Sequence, residues 1–152
     1  MISRTDSDTR DLGRNMGKAV SGPLTIALTG DLGAGKTTLI QGLAEGLGVG
    51  REYYVTSPSY NIINEYPAGQ FRLCHVDLYR LGSAEELEFL GFEELLDWED
   101  VILAVEWPGL LRETDFSFDL EIHFEFDSDY NRIISLTGTG QRGTKVLSRL
   151  IL

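Results

Sequence analysis

Gly30-Asp31-Leu32-Gly33-Ala34-Gly35-Lys36-Thr37, with Thr38 behind it, fits the pattern G-x-x-x-x-G-K-[ST], and few strings of eight residues restrict a fold so tightly. The pattern requires a strand before it and a helix after it. Leu24-Thr25-Ile26-Ala27-Leu28 supplies an apolar strand, and Leu39, Ile40, Leu43, Ala44 and Leu47 recur at helical spacing behind the loop until Gly48 offers a stop. Gly30, Gly33 and Gly35 permit backbone conformations that a side chain would block, so successive N–H groups can turn toward one anion. The helix start adds unpaired N–H groups and a favourable dipole. Asp31, Leu32, Gly33, Ala34, Gly35, Lys36, Thr37 and Thr38 are therefore the expected phosphate cradle, with Lys36 reaching the β- and γ-phosphates and Thr37 placed to ligate magnesium. A glycine-rich turn without function is the plainer alternative, and the complete pattern between strand and helix outweighs it.

A chain of 152 residues suffices for one domain with a real core and is short for two, so a single domain over 1–152 is expected. No apolar run approaches the ~20 residues of a membrane span, and the N-terminus lacks a basic segment followed by an apolar one. A cytoplasmic protein is the resulting expectation. Cys74 is the only cysteine, which excludes an internal disulfide, and with only His75 and His123 beside it a structural zinc site is not expected. The formal net charge of -11 repels a phosphate backbone, which disfavours unaided nucleic-acid binding and leaves solubility or a basic protein partner as its meaning.

Along the chain, Leu12, Met16 and Ala19 predict an amphipathic helix from Asp6 to Val20, capped by Asp6 or Ser7. Val55-Thr56-Ser57-Pro58-Ser59-Tyr60 reads as a loop with three hydroxyls around a proline. Tyr60 to Tyr66 and Phe71 to Asp77, joined by Pro67-Ala68-Gly69-Gln70, predict an antiparallel hairpin. Ser83 and Glu86 have capping-box spacing, and the apolar positions from Leu87 to Leu96, interrupted at Gly91, predict one broken helix or two short ones. Val101 to Val105 reads as a buried parallel strand. Phe118, Leu120, Ile122, Phe124 and Phe126 alternate with polar residues as one face of a half-buried strand, Arg132 to Thr137 returns beside it, and Val146, Leu147, Leu150 and Ile151 suggest a short final helix. The fold class is α/β, with a mixed sheet of parallel core strands and antiparallel hairpin strands.

Two carboxylates fall at strand ends. Asp77 closes the second hairpin strand, where a loop of this kind needs a second magnesium partner, and Glu106 follows the buried strand at its carboxyl end, in the ligand crevice of an open α/β sheet. Glu106 is expected to orient water or to join the metal shell, and His75 to be a hydrogen-bonded structural residue. Trp107 suits lid packing, core, or contact with a nucleotide or partner.

GDLGAGKTT, VTSPSY, HVDLYRL from His75 to Leu81, ELEFLG from Glu86 to Gly91 and VEWP from Val105 to Pro108 occur in an order that resembles the TsaE (YjeE) family, the bacterial ATPase component of the machinery that makes threonylcarbamoyladenosine in tRNA. The resemblance spans essentially the whole chain. It implies a three-layer αβα P-loop NTPase-like fold, binding of ATP/ADP with Mg2+, and action with the TsaD and TsaB proteins, which would leave tRNA as an indirect partner. Carried over by position, Lys36 and Glu106 are catalytic, Thr37, Asp77 and Glu106 lie on the metal side, and Thr56, Ser57, Pro58 and Ser59 form a switch-like loop near the γ-phosphate. The family pattern usually has threonine where Ser59 stands, and the hydroxyl is kept. A small-molecule P-loop kinase is the rival reading. It needs an acceptor site and an arginine-bearing lid, and only Arg80 and Arg112 stand near the crevice motifs in sequence. A GTP switch would need an Asn/Thr-Lys-x-Asp pattern, which the chain lacks.

Overall fold

A computed structural model describes residues 1–58 and 60–150. Its elements in chain order are β1 (Ile2–Ser3), α1 (Asp6–Ala19), β2 (Leu24–Thr29), α2 (Lys36–Leu47), β3 (Ile63–Ala68), β4 (Phe71–Asp77), α3 (Glu85–Phe89), α4 (Phe92–Leu96), β5 (Val101–Glu106), a 3-10 turn (Pro108–Glu113), β6 (Leu120–Phe126), β7 (Arg132–Gly138) and α5 (Gly140–Arg149). The strands form one seven-stranded sheet in the order β1-β7-β6-β2-β5-β4-β3. β2 runs parallel to both β5 and β6, and β4 runs parallel to β5, whereas β3–β4, β6–β7 and β1–β7 are antiparallel. This is the expected mixed sheet.

Period-two alternation in the strands sorts the core into two layers. Ile26, Leu28, Leu73, Ile102, Ala104, Leu120, Ile122 and Phe124 face α1, α2 and α5, meeting Leu12, Met16, Leu39, Leu43 and Val146. Ala27, Cys74, Val76, Leu103 and Val105 face the other way, against Leu87, Phe92, Leu95 and Leu111. β5 is buried at every position because it has a neighbour on both edges and helices on both faces. Cys74 lies in that second layer with its thiol pushed up to about 12 by burial, which makes it a small inert hydrophobe.

The helix that starts at the glycine-rich loop is gripped by α1 through backbone contact. A Cβ on Gly13 would stand 2.1 Å from the Leu39 carbonyl oxygen, and one on Gly42 would stand 2.0 Å from that of Arg10. Gly17 and Gly46 repeat the arrangement one turn further on, so the two glycine pairs interlock. Gly42→Ala is therefore expected to lower stability by about 3 kcal/mol through forced helix separation, read as a lower urea midpoint. An unchanged midpoint would mean that the helices can part freely.

Several boundaries differ from the sequence expectation. α1 is capped by Thr5 rather than Asp6 or Ser7, because Thr5 and Asp8 exchange reciprocal side-chain-to-backbone hydrogen bonds. β1 was not anticipated. It is two residues long and exists by pairing with β7. In the hairpin, β3 starts at Ile63, after Ile62 turns to φ 64°, and it takes in Pro67 and Ala68, leaving Gly69-Gln70 as the turn. An edge strand tolerates the missing proline donor. The Ser83–Glu86 capping box does not form, since Ala84 holds the cap position of α3 without a side-chain bond, and Gly91 at φ 71° separates α3 from α4. Phe118 precedes β6 and joins the second layer, and Phe126 is 44% exposed, so the buried stripe of β6 is Leu120, Ile122 and Phe124. Ser59 and Ile151 lie outside the described residues. Among those described, no helix is long and apolar enough to cross a membrane.

Candidate functional site

At the carboxyl end of β2 the chain turns through Gly30 (φ 134°), Gly33 (φ 78°) and Gly35 (φ 109°) into α2. Gly35 is the cap of α2 and offers no side-chain acceptor, so the first N–H groups of the helix point to whatever occupies the loop. Lys36 is 4% exposed and folds back over the loop, donating to the carbonyls of Gly30 (2.7 Å) and Asp31 (2.8 Å). Its Nζ also lies 4.3 Å from the Trp107 ring centroid. Burial lowers the Lys36 pKa, and the charges of Glu106, Asp77 and Asp31 oppose that shift.

Strand register sets the carboxylates. Leu28 pairs with Glu106 across β2–β5, and Glu106 pairs with Asp77 across β5–β4, so the two acids end adjacent strands at one level beside the loop. Glu106 is 3% exposed and accepts from the Thr37 hydroxyl at 3.1 Å. His75 Nε2 lies 2.7 Å from the other Glu106 oxygen, and because a carboxylate only accepts, the ring proton sits on that nitrogen. Asp77 accepts from the Ser57 hydroxyl at 2.7 Å and from the Tyr79 amide at 2.9 Å. Ser57 Oγ stands 3.5 Å from Glu106, so one hydroxyl lies between the two acids. Trp107, at φ 57° and 5.0 Å from the Tyr79 ring, closes one side. A positive φ in a bulky residue is costly and clusters at working sites.

The loop, Ser57, the two acids and Trp107 line a cavity of about 320 Å³. Leu32, Gly33, Gly35, Lys36, Thr37 and Thr38 form its loop wall. Asp31 and Ala34 do not: Asp31 is exposed and contributes its carbonyl, while Ala34 is buried in the core and hydrogen-bonds Asp31 through its amide. Of the predicted switch loop, Ser57 enters the cavity, Thr56 is exposed and Pro58 is buried outside it, and Ser59 is not among the described residues.

The basic residues near the crevice are not those expected. Arg80 approaches the Tyr60 ring at 5.1 Å, and Arg112 pairs with Glu121 at 3.2 Å. Neither lines the cavity, whereas Arg132 does. A signal for it was present: Arg132 is in phase with Ile134 and Leu136, the face of β7 turned to the core helices, where an arginine needs a reason. The contact between His75 and Glu106 was likewise missed, since their spacing of 31 residues carries no local pattern.

The donors suit magnesium, for which the site has only hard oxygen ligands on Thr37, Asp77 and Glu106. Among the described residues no group of three or more His, Cys, Asp or Glu could hold a metal by itself. A metal held by one or two carboxylates together with phosphate oxygens, the usual condition of magnesium, agrees with that set.

Residues 3–134 match the family described as "Threonylcarbamoyl adenosine biosynthesis protein TsaE". The protein from Borreliella burgdorferi named tRNA threonylcarbamoyladenosine biosynthesis protein TsaE is 46% identical over 63% of this chain and 71% of its own length. Proteins of the same name from Aquifex aeolicus and Bacillus subtilis are 35% and 43% identical, over 80% and 77% of this chain and 86% and 71% of their own lengths. The crystal structure of Bacillus subtilis YdiB superposes with a TM-score of 0.78 at 32% identity, covering 97% of this chain and 90% of that one. With the family pattern running through both the glycine-rich loop and the two strand-end acids, and a fold shared at that level, the chain belongs to the TsaE family.

Proposed function

We propose that this chain is a single-domain, cytoplasmic, magnesium-dependent ATPase that serves the formation of threonylcarbamoyladenosine in tRNA, slow alone and stimulated by TsaD and TsaB. The observation that carries the reading is Glu106, a carboxylate buried against the Thr37 hydroxyl of the phosphate loop and fixed from behind by His75. A helix start, a lysine and a buried acid on one cavity are the parts that phosphoryl transfer to water requires, since that reaction is catalysed mainly by positioning and charge. Lys36 holds phosphate, Thr37 and Asp77 hold the metal side, and Glu106 orients the attacking water, with Ser57 adjusting the two acids. Magnesium, when bound, neutralises charge developing on the phosphate oxygens.

The reading of slow intrinsic turnover rests on charge. On the side of Asp77 and Glu106, Lys36 is the one cation among the described residues that line the cavity; Arg132 stands on the opposite wall. A partner that adds positive charge at the acidic side would complete the clamp. A net charge of -11 agrees with tRNA being held by partners instead of by this chain.

The test is phosphate release from ATP by the purified chain, alone and with a matching TsaD and TsaB pair. Turnover well below the usual ~1–100 s⁻¹ of kinases, raised markedly by the pair, is the expected result. Fast turnover alone, or phosphate delivered to a metabolite without response to the pair, would overturn it.

A further inference from the structure

Phe89 stands in water. At 91% exposure it is the most exposed large hydrophobic side chain among the described residues, and its neighbour Leu90 is 37% exposed. The other apolar side chains of the same connection, Leu87, Phe92 and Leu95, are buried against the sheet. Helical spacing explains the split. In α3 Leu87 turns inward, so Phe89, two positions on, faces outward above Glu85, four positions back. A buried phenylalanine ring contributes about 1.5–3 kcal/mol, and a ring left exposed at the end of a helix of 5 residues contributes little of that to the fold. One exposed apolar residue is ordinary on a protein surface. What surrounds this one is not.

From Leu81 to Asp100 the chain has no lysine, arginine or histidine. Glu85, Glu86, Glu88, Glu93 and Glu94 are all exposed on the two short helices, and among the described residues none of them is in an ion pair. Elsewhere the surface neutralises its acids, as Arg10 and Arg14 do for Glu45 and Arg112 does for Glu121. Acids in a first turn suit the helix dipole, which accounts for part of this charge. It does not account for an aromatic ring set among them. An apolar anchor within a charged rim is the anatomy of a protein interface, and the sign of the rim selects the occupant. Nucleic acid and anionic membrane are repelled by these acids, whereas lysine and arginine are attracted. The place matters as well. α3 and α4 connect β4 to β5, the strands that end in Asp77 and Glu106, so a partner seated on them lies on the acidic side of the cavity.

We propose that the outer face of α3 and α4, centred on Phe89, is the docking surface for a basic protein partner, which receives the ring in an apolar pocket and sets lysines or arginines against Glu85, Glu88 and Glu93. The proposal deepens the functional reading above and rests on it for the existence of an activating partner; it adds the face that the partner holds and the chemistry of its grip. Two consequences follow from the geometry. Association through an acidic rim weakens as salt rises. None of these side chains lines the nucleotide cavity, so their removal acts on partner affinity and leaves nucleotide binding alone.

Calorimetric titration of the chain with the TsaD and TsaB pair at two salt concentrations, alongside ATP turnover with and without the pair, decides the matter. Phe89→Ala is expected to weaken the pair's binding about ten- to a hundredfold. Glu88→Lys should weaken it at least about tenfold and flatten its dependence on salt. In both variants turnover without the pair and magnesium-ADP affinity should stay within about twofold, since exposed side chains are changed. Asp129→Lys makes the same change of charge at an exposed position in the turn between β6 and β7, and should alter pair binding by less than about threefold. Unchanged pair binding in Phe89→Ala and Glu88→Lys overturns the proposal. So does an equal loss in Asp129→Lys, which would make net charge the cause and not the face. A concentration-dependent dimer of the unaltered chain that Phe89→Ala abolishes would make a second copy the occupant, and would also overturn it. The underlying reading is kept separate by the unaltered chain. If it neither binds nor responds to the pair, the functional reading fails and takes the proposal with it; if it binds and is stimulated while both variants match it, the functional reading stands and the proposal alone falls.

Discussion

Glu106→Gln should cut ATP turnover about a hundred- to a thousandfold while changing magnesium-ADP affinity by no more than about threefold. The amide keeps the size of the carboxylate, its oxygen can still accept from His75 and its NH2 can donate to the Thr37 hydroxyl, so the packing around a residue that is 3% exposed is preserved. What disappears is the negative charge that the proposed role uses to align water and draw its proton. Glu106→Ala is the less informative variant, because it leaves the buried Nε2 of His75 without an acceptor, at a cost of about 1–3 kcal/mol. Turnover by single-turnover phosphate release and affinity by titration give the two numbers. Equal loss of both in Glu106→Gln would make the residue a structural brace. Asp77→Ala is the useful contrast, since its loss should appear first as a higher magnesium requirement.

Lys36→Ala is expected to lower ADP affinity at least about a hundredfold. In the structure the ammonium satisfies two carbonyls of its own loop, Gly30 and Asp31, and it is poised above the anion cradle. Two charge-assisted hydrogen bonds at about 1.5–3 kcal/mol each correspond to a factor of that size. Burial lowers the lysine pKa, and the charges of Glu106, Asp77 and Asp31 oppose that shift. Near-normal affinity of the variant, measured by calorimetry with a matched urea midpoint, would remove the loop from nucleotide binding.

Much of this site was legible because its parts obey local rules. Gly30 to Thr37 announces itself by eight consecutive residues, and Glu106 by standing at the end of a wholly apolar run, which the all-buried β5 bears out. Asp77 was placed by counting alternate residues along β4, and the register with Glu106 agrees with that count. What escaped is what tertiary pairing decides. Arg132 reaches the loop because β7 returns antiparallel to β6, and its partner Asp6 is 126 positions away. The interlocked glycines of α1 and α2 were also missed, since spacing four apart marks a shared helix face but does not say that another backbone will touch it. Thr56 looked equivalent to Ser57 by composition, yet Thr56 is exposed and only Ser57 lines the cavity.

The level alignment of Leu28, Glu106 and Asp77 on three adjoining strands also governs how the site can fail. Those strands are interior members of the sheet, covered by helices on both faces, and no small opening frees one of them. The free energy needed to displace either acid by local fluctuation therefore approaches that of unfolding the whole chain. Heat or denaturant removes the geometry of the site and the fold in one step, and a molecule that is folded at all carries its two acids in place.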